Sequence, residues 1–253
     1  MNTLLRALHA ESLKMRGTLA LWMCLIAPAL VVVLYVLQLS FSRIPAHAVA
    51  DPAVAWQQFS QSVFALWLFL MLPLFVTLQS ALLAGLEHGE RQWKHLLALP
   101  VPRSVHYLAK LLMLAAMLAA AFALLLLLLP LGGLTLMWLK PQFGLAGSPD
   151  WSWLLAAAAR AYAASLLIVA LQTWIAIRWR SFTVAVSVGM GATVAGFLIG
   201  QSERFGHWYP WTMPLQVLAG KGTYASFVVV AGLVGGSLVA ALGLADFLRR
   251  EVA

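Results

Sequence analysis

Acidic side chains are scarce in this chain. Eight Asp and Glu stand against sixteen Lys and Arg in 253 residues, and charged residues make up 9% of the whole. The acids are Glu11, Asp51, Glu87, Glu90, Asp150, Glu203, Asp246 and Glu251, and each lies at or outside the end of a long apolar run. An intramembrane aspartyl protease needs two carboxylates within its spans, and a proton-coupled carrier usually needs at least one, so neither class fits. Cysteine is scarcer still. Cys24 is the single cysteine, so no intramolecular disulfide can form, and a lone thiol in an apolar run reads as a small core hydrophobe. No H-E-x-x-H occurs, the order being Glu87-His88, and no G-x-S-x-G elbow occurs either. The six histidines are scattered without ligand-like pairing, so no metal site is expected. A phosphate-cradling G-x-x-x-x-G-K-[ST] is also missing, because Gly220-Lys221 lacks the upstream glycine and is followed by Gly222. An energy source for uphill work would have to sit on another subunit.

Apolar residues are what the chain has in abundance. They make up 63% of it, and the mean hydropathy is +0.91. A soluble domain could not hide that much apolar surface. Six spans are expected, at Thr18–Phe41, Ser62–Leu86, Ser104–Trp138, Trp151–Ile177, Phe182–Gly200 and Tyr224–Leu248. The fold class is all-α and polytopic, with one transmembrane domain over residues 1–253. The first apolar run, Leu19 to Leu39, is longer than the roughly 7–15 residues of a cleavable signal core and reads as a retained span. Pro28 and Pro73 should kink the first two spans, and Pro130-Leu131-Gly132-Gly133 should break the third.

Six spans put both termini on one side. Eleven of the sixteen Lys and Arg fall on that side, four on the other, and Arg160 lies within a span. The positive-inside rule then places both termini in the cytoplasm and the protein, multi-pass, in the cytoplasmic (inner) membrane. The net charge of +8 reads as topology, with membrane lipid rather than nucleic acid as the partner. Eleven Trp, many near span ends, fit an interfacial belt.

Four segments flank or separate the spans. Residues 1–17 have the pattern of an interfacial helix, with Leu4, Leu8 and Met15 on one face and Arg6, His9, Lys14 and Arg16 elsewhere. Glu11 projects from the middle of the apolar face. It either tilts into the headgroups or pairs with Lys14, three residues on, or it docks the helix through a buried pair with a cation of another cytoplasmic segment. Residues 201–222, rich in aromatics and broken by Pro210 and Pro214, suit a short helix re-entering the outer leaflet. Asp51-Pro52 reads as a cap and first turn of an outer helix running into the second span. Between spans two and three lies EHGERQWKHLLALPVPR, Glu87 to Arg103, with Trp93, Leu96 and Leu97 at helical spacing.

Two further features have competing readings. Arg160 sits near the outer end of a 27-residue span, where it either snorkels or lines a cavity. Ala192, Gly196 and Gly200 form a small-x-x-x-small stripe, for a dimer contact or for packing within one subunit.

The chain resembles the permease subunits of ABC-2-type exporters. The residues that carry the resemblance are ESLKMR at Glu11 to Arg16, the Glu87–Arg103 stretch followed by YLAKLL at Tyr107 to Leu112, RWRSFTVAVSVGMG from Arg178, and WYPWTMP at Trp208 to Pro214. A glutamate ending span two, then W-K-x-L-L-x-L-P-V-x-R and Y-x-x-K, is similar to the subgroup that includes lantibiotic-immunity permeases. The resemblance implies a coupling helix at Glu90 to Leu99, seated in a groove of a cytoplasmic ATP-binding subunit. Two such subunits would bind the ATP and Mg, and a second permease chain, identical or homologous, would complete the transporter. Glu87, Glu90, Arg91, Trp93, Lys94, Leu97, Pro100 and Arg103 are the residues this implies for coupling. Arg103 and Lys110 are expected at headgroup level. The expected cargo is amphipathic or hydrophobic: a peptide antibiotic, a lipid-like molecule or a drug. The chain itself would be no enzyme. A membrane scaffold or sensor whose partner ATPase does mechanical work without translocation is the alternative.

Overall fold

The computed structural model describes residues 3–42, 51–89, 101–179, 181–202, 204–219 and 223–249. Helix α1 spans Thr3–Lys14. The chain then turns at Gly17, whose φ of 76° is a conformation that glycine adopts without a Cβ penalty. Helix α2 follows at Leu19–Phe41. Helix α3, Pro52–Leu66, starts where Asp51 accepts the Ala53 N–H at 2.9 Å. It continues through one π turn, Trp67–Met71, into α4, Leu72–Gly89. Then come α5 at Arg103–Leu139, α6 at Trp151–Arg178 and α7 at Phe182–Ile199. A short α8, Met213–Ala219, precedes α9, Thr223–Val230, which passes through a second π turn, Ala231–Gly235, into α10, Gly236–Arg249. No strand occurs among the described residues. Six helices are long and apolar enough to cross a membrane: α2, the α3–α4 unit, α5, α6, α7 and the α9–α10 unit.

The prolines behave less simply than helix chemistry alone predicts. The expected kink at Pro73 takes the form of the π turn just before it, in which the Leu72 N–H bonds to the Trp67 carbonyl. Widening one turn absorbs the missing proline donor. The expected break at Pro130 does not occur. Helix α5 runs unbroken for 37 residues, about 55 Å at 1.5 Å per residue. The glycines beside Pro130 serve packing instead. A Cβ on Gly132 would press on Phe59 and Val36 at 3.3 Å, and one on Gly133 would collide with the Trp56 ring. Neighbouring helices thus hold a Pro-Gly stretch that would break a helix in water.

The core is built around the second span. Phe59, Phe64, Trp67 and Phe75 are fully enclosed, packed with Leu118, Leu125 and Leu129 of α5 and Ala161 and Ile168 of α6. Helices α2, α7 and α9–α10 lie outside this centre and keep large apolar side chains exposed, among them Trp22, Val194, Leu198 and Leu242. The last span approaches α6 backbone to backbone. A Cβ on Gly232 would collide with the Ala163 carbonyl, and one on Gly236 would stand 2.9 Å from the Leu166 carbonyl carbon.

Candidate functional site

Polar groups are few, and they gather at three depths. The first group lies on the face that carries the termini. Glu11 of α1 is 7% exposed and Lys110 of α5 is 3% exposed. The Lys110 ammonium donates to Glu11 Oε2 at 3.3 Å and to the Leu83 carbonyl of α4 at 2.9 Å. Lys14 donates to Glu11 Oε1 at 2.9 Å. One lysine therefore joins α1 to α4 and α5, the two helices that flank the stretch from Glu87 to Arg103. Burial pushes the Glu11 carboxyl up, but Lys110 and Lys14 outweigh it and hold the group below its ordinary value. A buried carboxylate is tolerated here because both oxygens are paired. Beside this triad, Asp246 of α10 accepts from Trp174 Nε1 at 2.9 Å and from Arg178 at 3.2 Å, tying the last span to α6. Tyr107 is packed against Phe247 and fills the space that Gly243 leaves.

The second group lies at mid-depth. Gln172 Nε2 donates to Thr77 Oγ1 at 2.9 Å, and Gln79 Nε2 donates to the Ala20 carbonyl at 2.7 Å. All three side chains are buried. A Cβ on Gly189 of α7 would collide with both Thr77 and Gln172. The pairs link α2, α4 and α6 where hydrocarbon offers no other partners, and Gly189 lets α7 pack against them.

The third group lies on the opposite face. Asp150 caps α6, accepting the Ser152 and Trp153 N–H groups at 3.0 and 3.1 Å and the Ser152 hydroxyl at 2.6 Å. Trp56 Nε1 donates to the Ala146 carbonyl at 3.0 Å. Between them lies a cavity of about 300 Å³.

The residues singled out by sequence fall as follows. Glu87 is in the last turns of α4, and Arg103 is the first residue of α5 and exposed. Glu90, Arg91, Trp93, Lys94, Leu97 and Pro100 lie outside the described residues. Glu11 and Lys110 meet, so the Lys110 side chain is enclosed between helices rather than held out to solvent. Its ammonium is turned into the bundle by two acceptors. Arg160 is exposed and lines neither the cavity of about 300 Å³ nor the small space beside Lys110. The Ala192–Gly200 stripe is covered by its own chain. Tyr209 donates to the Ala192 carbonyl at 2.8 Å, and Gly196 and Gly200 face Thr212. Sequence reasoning missed the Thr77–Gln172 pair, the Gln79 anchor and the cavity. A glutamine within an apolar run is the signal that could have found the first two.

A bundle of six apolar helices, latched at both ends by sparse polar groups, has the build of a multi-pass membrane protein. Residues 7–196, three quarters of the 253, match the model of the ABC-2 family transporter proteins, and the chain belongs to that family. The matched residues run from α1 to near the end of α7. No curated protein matches the chain. The chain is thus a permease component of an ABC transporter and not itself its ATPase, and such permeases normally work with an ATP-binding subunit.

Proposed function

We propose that this chain is the membrane-spanning subunit of an ATP-driven exporter in the cytoplasmic membrane, with both termini in the cytoplasm. Two copies of a separate ATP-binding subunit drive it, and a second permease chain completes the pathway. Residues 90–99 form the coupling helix, with Glu90, Arg91 and Lys94 toward the partner and Trp93, Leu96 and Leu97 toward the bundle and membrane, and with Glu87 as the glutamate that ends the second span. Pro100 and Arg103 set the entry into α5. Helix α1 lies along the membrane surface, and residues 201–222 form a re-entrant outer segment. The cargo is amphipathic or hydrophobic, because apolar spans with so few charges offer little to pair with a bare ion.

The observation that carries this reading is the Lys110 junction. A push on residues 90–99 must pass into α4 or α5, and Lys110 binds both helices and α1 together. The three elements then move as one body, which is what a lever between a soluble motor and a bundle requires. The test is co-purification of the ATP-binding subunit with the full chain carrying Trp93→Ala and Lys94→Glu. Loss of binding and of stimulated ATP hydrolysis is expected. Retention of both would show that the partner docks elsewhere. Resistance to a membrane-active peptide that survives in this variant would favour the scaffold or sensor role over export.

A further inference from the structure

The cavity of about 300 Å³ on the face opposite the termini is unused by the coupling scheme. It is lined by Trp56, Gln57 and Ser60 of α3 and by Pro149, Asp150 and Trp153 at the start of α6. This is the lower end of the volume range of small-molecule sites, about 300–1,000 Å³. Its walls are fixed. Trp56 is 3% exposed, pinned through Nε1 to the Ala146 carbonyl, and packed edge-on against Phe59 at 6.0 Å between centroids. Trp153 packs edge-on against Phe64 at 5.9 Å. The absence of a side chain at Gly133 is what lets the Trp56 ring sit there.

The polar groups of the cavity point to a ligand. Ser60 is 2% exposed and lines the cavity, yet its hydroxyl makes no hydrogen bond to a described residue. Other buried serines and threonines of the spans, such as Ser165 and Thr173, satisfy themselves on a backbone carbonyl four residues back. Asp150 is exposed at the rim of the cavity, where Oδ1 is spent on the helix cap and Oδ2 is left open to solvent or a ligand. Its capping bonds hold the carboxyl below its ordinary value, so it stays charged. In a chain of net charge +8, the one charged residue that lines this cavity among the described residues is an acid.

The geometry points to a binding site for a small organic cation, an ammonium group carried on an apolar body. The charge sits by Asp150 with Ser60 as acceptor, and the apolar body lies against the two indoles, which attract cations as well as bury hydrocarbon. A free amphipathic amine and the headgroup of an ammonium lipid share this chemistry. The site stands apart from the coupling segment, so it survives if residues 90–99 prove not to contact a motor.

The test is calorimetric titration of the full chain in phosphatidylcholine nanodiscs with benzylammonium, whose N–H groups can donate to Ser60 and Asp150, and with benzyl alcohol and benzenesulfonate as controls. The cation is expected to bind at least about fivefold more tightly than either of the others. Asp150→Asn keeps a capping side chain, so α6 should still start where it does, yet cation affinity should fall about fivefold or more. Ser60→Leu should fill the cavity and abolish binding. A cation preference below fivefold, or a smaller loss in Asp150→Asn, overturns the assignment. Competition by a soluble short-chain phosphatidylcholine, but not by its phosphatidylglycerol counterpart, would make a lipid headgroup the occupant; competition by neither would make it a free amine.

Discussion

Replacing Lys110 by methionine keeps the stem that crosses the α1–α5 contact and removes the ammonium. Glu11 is then left with Lys14, whose side chain is 30% exposed, and the Leu83 carbonyl loses its 2.9 Å donor. Removing one partner of a buried pair costs about 3–5 kcal/mol, and the surviving Lys14 contact puts this case near the lower figure. Glu11→Gln should cost less, because Lys110 keeps the Leu83 carbonyl and an amide oxygen. Lys110→Met with Glu11→Gln removes the charge from both sides. The double variant should recover about 2 kcal/mol relative to the sum of the singles, since residues in one network are not additive. Unfolding in mixed SDS micelles, followed for wild type, both singles and the double, gives the cycle. Singles whose losses sum to that of the double within about 0.5 kcal/mol would falsify the claim that Lys110 and Glu11 act as one joint.

Further expectations concern single groups. The Glu11 carboxyl lies below its ordinary 4.5, so its contribution is fully present above about that pH and is lost as pH falls through the lower, folded value. Acid unfolding of wild type against Glu11→Gln should diverge above that window and converge below it. Gly189→Ala should destabilise markedly, because its Cβ meets Thr77 and Gln172. Gly191→Ala meets nothing and should be neutral or stabilising by about 0.5–1 kcal/mol; thermal unfolding of the pair in matched lipid checks the contrast. Asp246→Asn should cost about 1 kcal/mol, because the pair with Arg178 is partly exposed and an asparagine oxygen can still accept from Trp174; thermal unfolding in matched lipid checks it.

The spans were legible because the bilayer imposes one strong rule, and runs such as Leu19–Phe41 obey it to within a residue or two. The cap at Asp51 was legible for a local reason, since a carboxylate before Pro52 can reach only its own first turn. The partner of Lys110 was not legible, because periodicity cannot tell a lysine that snorkels from one that meets Glu11, 99 residues away. The unbroken α5 was missed for the same reason: Pro130 is tolerated through Val36 and Phe59, which lie on other helices. The cavity depends on Trp56 being seated against Gly133, and no local pattern in either segment announces it. The small-residue stripe of α7 was visible, but whether it meets a second subunit or Thr212 of its own chain is a tertiary fact.

The central claim is that residues 90–99 receive the push of a separate ATP-binding subunit. The most direct measurement places a photo-crosslinking residue at position 94 of the full chain, with a control at position 148 on the opposite face. Irradiation of membranes holding the assembled complex should join position 94 to the ATP-binding subunit and leave position 148 unjoined. A crosslink from position 148, or none from position 94 in a complex that still hydrolyses ATP, would contradict the account.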